Sequence, residues 1–246
     1  MDKLLYVAMS GAKETLRAQA ANSHNLANAN TTGFKADLSA FQSRAVTGPG
    51  YASRVYATDS SVGWDSSVGA QMTTGNPFDV AVQGAGFIAV QDSNGNEAYT
   101  RAGDLHVDPN GQLMTAAGLQ VLGDNGPVSV PPFSSASVAP NGTISVVPLG
   151  QTPQTISNIG RIKLVNPPSD TVSRGSDGLF RTNDGQPAES DANTTVASGV
   201  LEGSNVDLAG SMANMIELSR NFDLQIKALH AAEDNAGASA KLLQSS

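Results

Sequence analysis

Apolar residues near the amino terminus follow a helical spacing. The stripe consists of Leu5, Met9, Ala12, Leu16 and Leu26. Residues three and four apart lie on one side of an α-helix, so this spacing predicts an amphipathic helix. Asparagines accumulate where the stripe fades, and we expect the helix to end near Asn30, with Gly33 as its carboxyl-terminal cap.

A second helical pattern lies at the carboxyl-terminal end. Apolar residues recur there at intervals of seven, and some are followed by another four residues later, which is the spacing of a heptad repeat. The positions are Leu208, Met212, Met215, Phe222, Ile226, Leu229, Ala236, Ala240 and Leu243. Ser219, Glu233 and Gly237 weaken the repeat. We therefore expect this helix to pair with an imperfectly matched partner helix.

The middle of the chain has the period of β-strands. Short β-type runs occupy residues 78–82, 86–91, 119–122, 143–147 and 160–165. Asn-Gly pairs begin at positions 94, 110, 125 and 141, and Asp-Gly pairs at 177 and 184. Such dipeptides favour the turns that join antiparallel strands, so they predict successive hairpins.

These patterns predict an α+β fold in three parts. Residues 1–35 and 205–246 form a terminal helical domain whose two helices pair in a coiled-coil-like layer. Residues 36–72 show no sustained period and are expected to be an extended connector. Residues 73–204 form a mostly antiparallel β domain. The narrow helical stripes fit packing on this β domain and pairing between subunits equally well.

Composition narrows the functions that are open to the chain. The formal charge of −8 disfavours nucleic acid as a partner, and no apolar run is long enough to insert in lipid. The start of the chain lacks the features of a cleaved secretory signal. The absence of cysteine closes disulfide, thiolate and cysteine-nucleophile chemistry. A hydrophobic content of 39% is sufficient for a packed core.

Candidate chemical motifs are weak. The glycine pattern at 84–89 precedes a strand-like run, which favours a bend between two strands over a dinucleotide site. Asp92, Asn94 and Asn96 resemble the start of a calcium loop but lack its glycine and glutamate, so a hairpin loop is the better interpretation. The three histidines are far apart in sequence. We expect no catalytic, metal or cofactor site.

Three blocks of sequence resemble the flagellar rod and hook family. They lie at 25–35, at 76–87 with 99–103, and at 199–207, in the order and positions typical of that family. The residues of the family signature are Asn25, Asn28, Asn30, Thr31, Gly33, Phe34, Ser204 and Asn205. The start of the chain and its modest length are more similar to the proximal-rod members than to the longer distal-rod or hook members.

The resemblance implies a mechanical function without a catalytic site. Members place both terminal helices in the innermost layer of a tubular assembly, here the rod that crosses the periplasm and carries torque. Expected partners are other rod proteins, copies of this chain and the flagellar export apparatus, which passes the chain without cleaving a signal. The expected assembly contacts are Leu5, Met9, Ala12, Leu16, Leu26, Leu208, Met212, Met215, Phe222, Ile226 and Leu229.

Two further expectations concern the isolated subunit. We expect it to be monomeric, with helices that become fully ordered only on incorporation, because a narrow stripe does not offset the entropy of ordering a helix. Two other functions stay open from the residues alone. One is a self-contained extracytoplasmic β-rich binding module, and the other is a carbohydrate-active enzyme with a pocket of carboxylates and aromatics.

Overall fold

The computed structural model describes residues 3–45, 55–152 and 154–244 and divides them between two compact units. The helical unit contains the described parts of residues 1–29, 36–65 and 206–246. The β unit contains residues 30–35 and 66–205. The predicted α+β class is confirmed, with one helix at each end of the chain and antiparallel strands between them.

The helices are α1 (Lys3–Ala27) and α2 (Leu208–Gln244), and a single 3-10 turn covers Ser169–Thr171. The strands are β1 (Asp37–Ala45), β2 (Val55–Trp64), β3 (Gln71–Thr73), β4 (Val80–Gln83), β5 (Phe87–Gln91), β6 (Glu97–Thr100), β7 (Leu105–Val107), β8 (Leu113–Thr115), β9 (Gln120–Gly123), β10 (Gly126–Pro127), β11 (Phe133–Val138), β12 (Thr143–Pro148), β13 (Ser157–Arg161), β14 (Leu164–Val165), β15 (Val172–Arg174), β16 (Phe180–Thr182), β17 (Thr195–Ser198) and β18 (Val200–Glu202).

The two helices pack against each other in antiparallel directions. The Asn22 Nδ2 atom donates a hydrogen bond to the Ser211 carbonyl oxygen at 2.7 Å. Nearer the amino terminus Gly11 faces Gln225, since a Cβ added at Gly11 would lie 3.0 Å from its Cδ. The buried residues of α1 are small or polar, namely Ala8, Ala12, Glu14, Thr15, Ala18, Asn22 and Asn25.

The end of α1 is fixed to the start of β1 by a reciprocal pair of hydrogen bonds. Asn25 Nδ2 donates to the Asp37 carbonyl at 3.0 Å, and the Asp37 amide donates to Asn25 Oδ1 at 2.8 Å. His24 Nδ1 lies 2.8 Å from Asp37 Oδ2. The helix ends at Ala27, near the predicted boundary. The prediction that Gly33 caps it is wrong, because Gly33 lies six residues later, where its amide donates to Glu202 within the β unit.

The segment expected to be an extended connector is largely strand. β1 and β2 form an antiparallel hairpin in register from Asp37 opposite Trp64 to Ala45 opposite Val55. Both strands contact α1. Their sequences, rich in serine, threonine and alanine, lack the alternation that would have predicted strands, and the hairpin is instead specified by its pairing and by the helix beneath it. Residues 46–54 lie outside the described residues.

The β unit is built from antiparallel pairs. Its main sheet has the order β15-β16-β6-β5-β9-β8-β7, with β10 beside β9 and β14 beside β5. A three-stranded sheet, β11-β12-β13, and two short pairs, β4-β17 and β3-β18, complete it. Aliphatic side chains from the main sheet, the three-stranded sheet and β4 share one core, which includes Val80, Ile88, Val90, Leu113, Val121, Ile144, Val146 and Leu164.

The predicted hairpin turns are confirmed. The glycine of each Asn-Gly pair has a positive φ, at Gly95, Gly111, Gly126 and Gly142. That conformation favours glycine and matches the twist of the strands that the turns connect. The run predicted at 160–165 is divided between β13 and β14. Neither of the two described helices has an apolar stretch of the length and hydropathy that would cross a lipid bilayer.

Candidate functional site

Three charged side chains are buried together inside the β unit. Glu202 accepts from Lys35 Nζ at 2.6 Å through Oε1, and from Arg101 Nε at 2.9 Å through Oε2. Their side-chain exposures are 0% for Glu202, 1% for Lys35 and 3% for Arg101. We call these residues the ion triad. A buried charge is tolerated only where it is paired and hydrogen-bonded, so each member depends on the others.

The ion triad joins three distant parts of the chain. Lys35 follows the turn after α1, Arg101 follows β6, and Glu202 ends β18. The Gly69 amide also donates to Glu202 Oε1 at 3.0 Å, and Lys35 Nζ donates to the Ser67 carbonyl at 2.5 Å. Contacts at the ion triad therefore join the first, middle and last segments of the β unit.

Arg101 also donates hydrogen bonds to the glycine bend between β4 and β5. Its Nη1 donates to the carbonyls of Gly84 at 2.8 Å and Gly86 at 2.7 Å. A Cβ at Gly86 would lie 2.9 Å from the Thr194 side chain, so the bend has no room for a larger residue there. The prediction of a bend between two strands is confirmed, and this backbone holds a guanidinium.

Part of the family signature lies beside the ion triad. The Gly33 amide donates to the Glu202 carbonyl at 2.7 Å, and a Cβ at Gly33 would lie 2.2 Å from the Arg101 carbonyl carbon. The Arg174 guanidinium lies 4.4 Å from the centre of the Phe34 ring. The Asn205 amide donates to the Phe34 carbonyl at 3.3 Å. The first and last signature blocks thus meet inside the β unit.

The remaining signature residues have local positions. Asn25 makes the bonds to Asp37 described above, and Asn28 Nδ2 donates to the His24 carbonyl at 2.9 Å. The Thr31 carbonyl accepts from the Phe34 amide in the turn that leads to the ion triad, and Asn30 is exposed beside it. Ser204 is half-buried next to Asn205.

Sequence reasoning missed the ion triad. Lys35, Arg101 and Glu202 all lie in the signature blocks, but none of them has a pattern of its own that indicates a buried charge. A signal was nevertheless present. Each of the three is a single charged residue among small and apolar neighbours, as in Thr-Gly-Phe-Lys-Ala, Thr-Arg-Ala-Gly and Val-Leu-Glu-Gly. Isolated charges in buried segments are expected to pair with one another.

The predicted assembly residues have three different environments. Met9, Leu16, Leu208 and Met212 are exposed. Leu5, Leu26, Met215, Phe222, Ile226 and Leu229 are half-buried, and Ala12 is buried. Leu218 and Ala232, which the heptad interpretation omitted, are buried residues of α2. Met215, Phe222 and Leu229 lie on the same side of α2 as Leu218 and Ala232. Part of the predicted stripe therefore faces α1 of the same chain.

Large apolar side chains on the helices face away from the seam between them. We call this set the exposed helical row: Tyr6, Met9, Leu16, Leu208, Met212, Ile216 and Leu224, with exposed fractions between 46% and 60%. Tyr6, Ile216 and Leu224 were not predicted, although Tyr6 precedes Met9 by three residues and Ile216 follows Met212 by four. On α1, buried small or polar residues and exposed large apolar residues invert the usual arrangement of an amphipathic helix.

A second ionic group lies on the surface of the β unit. Arg181 Nη2 contacts Asp92 Oδ2 at 2.9 Å and Asp177 Oδ2 at 2.6 Å. The hydrogen bond from Arg181 is the largest cause that holds the pKa of each of these carboxyls below its usual range. Asp92 Oδ1 also accepts from the amides of Asn94 and Asn96, both at 2.9 Å. The calcium-like motif is thus a hairpin loop, as predicted.

The histidines are not brought together. His24 pairs with Asp37, His106 is exposed on β7, and His230 lies 3.6 Å from Glu233 on α2. Within the described ranges, no three histidine, aspartate or glutamate side chains gather in a way that could hold a metal ion.

A rigid β unit closed by buried ions, and a helix pair that exposes its large apolar side chains, define the class of structural proteins that function by packing against neighbours. Comparison with known sequences specifies the family. Residues 5–35 match the family described as flagella basal body rod protein, residues 81–146 the flagellar hook protein FlgE/F/G D1 domain, and residues 197–242 the carboxyl-terminal region of flagellar basal body rod FlgEFG proteins.

Known flagellar proteins are similar to this chain over its whole length. The flagellar basal-body rod proteins FlgF of Escherichia coli (strain K12) and of Salmonella typhimurium (strain LT2) are each 41% identical, with 100% of both sequences covered. FlgF of Caulobacter vibrioides is 32% identical over 91% of this chain and 90% of its own length. The chain belongs to the flagellar rod and hook family and is most similar to its proximal-rod members.

Glu202→Gln tests the ion triad. The substitution keeps the size of the side chain but leaves Lys35 and Arg101 buried without a counter-charge. We expect the free energy of unfolding to fall by about 3–5 kcal/mol, the usual cost of breaking a buried ion pair. Urea denaturation of the purified chain measures this change. The matched control is Glu189→Gln, at an exposed carboxylate of the same unit. Equal midpoints for the two variants would contradict a structural role for the triad.

The Arg181 group predicts a pH dependence. The pKa values of Asp92 and Asp177 are lowered from 3.8 in the folded state. Their contribution to stability is therefore complete above 3.8 and is lost as the pH falls towards the lowered folded values. We expect Arg181→Gln to destabilise the chain at neutral pH and to differ less from the native chain at about pH 3.

Urea denaturation at the two pH values gives this difference. Arg220→Gln, at an exposed position of α2, is the control and should show little difference from the native chain at either pH. An effect of Arg181→Gln that is as large in acid as at neutral pH would show that the ion pairs are not its cause.

Proposed function

We propose that this chain is a structural subunit of the flagellar basal-body rod, and that it enters the rod through the exposed helical row. The observation that carries the proposal is the inverted arrangement of α1, beside which α2 also exposes large apolar side chains. Ala8, Ala12 and Ala18 occupy the buried side of α1, while Met9 and Leu16 remain about half exposed. Such an arrangement leaves apolar area for a partner.

The energetic argument follows from the size of the exposed side chains. Burying one large aliphatic side chain contributes about 1.5–3 kcal/mol when its exposure is removed completely. The exposed helical row contains seven large apolar side chains, each with nearly half or more of its surface accessible. Exposed apolar patches mark interaction sites on soluble proteins. Neighbouring helices in a tubular assembly would remove it from water.

The β unit suits a load-bearing role because its two chain ends are tied together. Its first segment carries Lys35 and its last carries Glu202, and the Asn205 Nδ2 atom donates to the Ser67 carbonyl at 3.1 Å. The chain passes between the two units four times, at residues 29–30, 35–36, 65–66 and 205–206. Lys35, Ser67 and Asn205, which lie beside three of these connections, are joined by hydrogen bonds inside the β unit, so a force applied along these connections acts on the ion triad and its neighbours and not on a single strand.

Several finer features belong to the same proposal. The rod crosses the periplasm and transmits torque, its partners are other rod proteins and further copies of this chain, and the flagellar export apparatus delivers the subunit without a cleaved signal. The isolated subunit is monomeric. The full-length similarity to flagellar basal-body rod proteins supports this set of statements.

The alternatives have less support. In a self-contained binding module the large apolar side chains of the helices would be buried within one chain. The side chains of the exposed helical row are instead accessible to solvent. A carbohydrate-active enzyme would need a pocket of carboxylates and aromatics. Three clefts of the β unit, beside β10 and β13, beside Pro167 and Pro187, and beside Arg181, have no aromatic residue among those that line them.

Met9→Asp combined with Leu16→Asp tests the assembly face. Both side chains point away from α2, so the chain should fold with nearly native stability. Incorporation into basal bodies and swimming should be lost, because two charges would replace apolar contacts at the interface. Fractionation of basal bodies and a motility assay measure the two effects.

The control for this test is Val68→Asp combined with Met72→Asp, which changes two side chains of similar exposure in the β unit. It should assemble and swim. Phe222 and Leu229 are less suitable targets, because their position on the inner line of α2 means that charges there would separate the helices of one chain. Normal swimming by the Met9 and Leu16 variant would refute the assignment of this face.

A further inference from the structure

The β unit is completed by its last two strands. β17 pairs with β4 and β18 pairs with β3, both in antiparallel register. In the part of the chain that the structure describes, neither β3 nor β4 pairs with a further strand. We call residues 194–205, which contain β17 and β18, the closing segment. The first two strands of the β unit therefore obtain their strand partners from its last two.

The closing segment also fills part of the core. Val196 is buried and belongs to the same hydrophobic core as Val80 and Val82 of β4. Thr194 is buried against the glycine bend, where it leaves no room for a side chain at Gly86. Without these residues, apolar surface of β4 would be exposed and its main-chain groups would lose their strand partner. Both changes are unfavourable.

The carboxylate of the ion triad also belongs to the closing segment. Lys35 and Arg101 lie in earlier parts of the β unit, and Glu202 is the acidic group that both of them contact. A buried cation without its counter-charge is strongly unfavourable. Before the closing segment docks, both cations would therefore have to stay in water, and the segments that carry them could not take their final positions.

The contacts of the closing segment connect distant parts of the chain. Ser198 Oγ donates to the Pro77 carbonyl across 121 residues, and the Gly69 amide donates to Glu202 Oε1 across 133. Most other strand pairs of the β unit, such as β5-β6, β8-β9 and β11-β12, join consecutive strands. Isolated hairpins have little stability in water, and pairing between distant segments forms slowly because a long loop must be closed.

We propose that docking of the closing segment is the rate-limiting step in the folding of the β unit, and that no strand of the unit becomes stably protected before it. The segment combines strand pairing, core packing and the neutralisation of two buried cations in one event. Since it lies at the carboxyl-terminal end of the unit, a chain that is still being synthesised keeps an open β unit until the closing segment has been made.

This order of folding goes beyond the assignment to the rod and does not depend on it. Its use does rest on the proposed function. A β unit that closes late leaves the chain for longer in the unfolded form that an export channel can pass. The closing segment would thus separate synthesis of the chain from folding of its most stable part.

Pulsed hydrogen exchange during refolding of the full chain from urea tests the order of events. A short unfolding time keeps the prolines in their native isomers, so that proline isomerisation adds no slow phase. We expect the strand amides of β5 and β9 to become protected in the same phase as those of β17 and β18. Protection of β5 and β9 in an earlier phase overturns the inference.

Val196→Ala tests whether docking limits the rate. The substitution removes apolar contacts of the closing segment and keeps its backbone. Refolding should slow by about five-fold or more, equally at β5, at β9 and in the closing segment, while the unfolding rate changes little. The control is Thr195→Ala, at an exposed position of the same strand, and it should leave both rates unchanged.

A Val196→Ala chain that refolds at the native rate and unfolds faster overturns the inference, because the closing segment would then dock after the rate-limiting step. The exchange experiment uses the native chain and therefore decides the question even if the variant is too unstable to fold. Neither measurement involves the basal body, so failure of this inference leaves the proposed function standing. Absence of the native chain from basal bodies would instead refute the proposed function.

Discussion

Burial of the Glu202 carboxylate between Lys35 and Arg101 constrains the rest of the β unit. Full removal of three charges from water is costly, and the cost is offset only while all three partners and their carbonyl acceptors keep their positions. The glycine bend at Gly84–Gly86 must present its carbonyls to Arg101, and Gly33 must lack a side chain so that its segment can reach Glu202. The fold around this site therefore forms as a whole or not at all.

The helical unit differs from the β unit in the residues that fill its interior. The α1 side of its seam consists of alanines, Gly11 and polar residues such as Asn22, which allow close approach but bury little apolar area, and α2 contributes Leu218 and Ala232. The exposed helical row lies on the outside. The free subunit is thus expected to combine a stable β unit with a helix pair of modest stability, and assembly would supply the missing burial.

Much of this architecture could be predicted from the sequence. The positions of the helices, the hairpin turns at Asn94–Gly95 and Asn141–Gly142, and the α+β class follow from periodicity and turn chemistry, which are local signals. The ion triad could not be predicted with confidence, because it depends on three segments that meet only in the fold. The β1-β2 hairpin was missed because its strands lack alternation. The heptad pattern also did not predict which way each of its residues faces. Phe222 and Met212 belong to the same repeat, but Phe222 is half-buried and Met212 is exposed.

Amide hydrogen exchange, compared between the isolated subunit and intact basal bodies, tests the central claim most directly. The account predicts that residues 5–26 and 208–232 exchange rapidly in the isolated chain and become strongly protected in the rod, while the core strands of the β unit are protected in both. Helices that are as protected in the isolated chain as in the rod would contradict it, because their apolar contacts would then already be satisfied within one subunit.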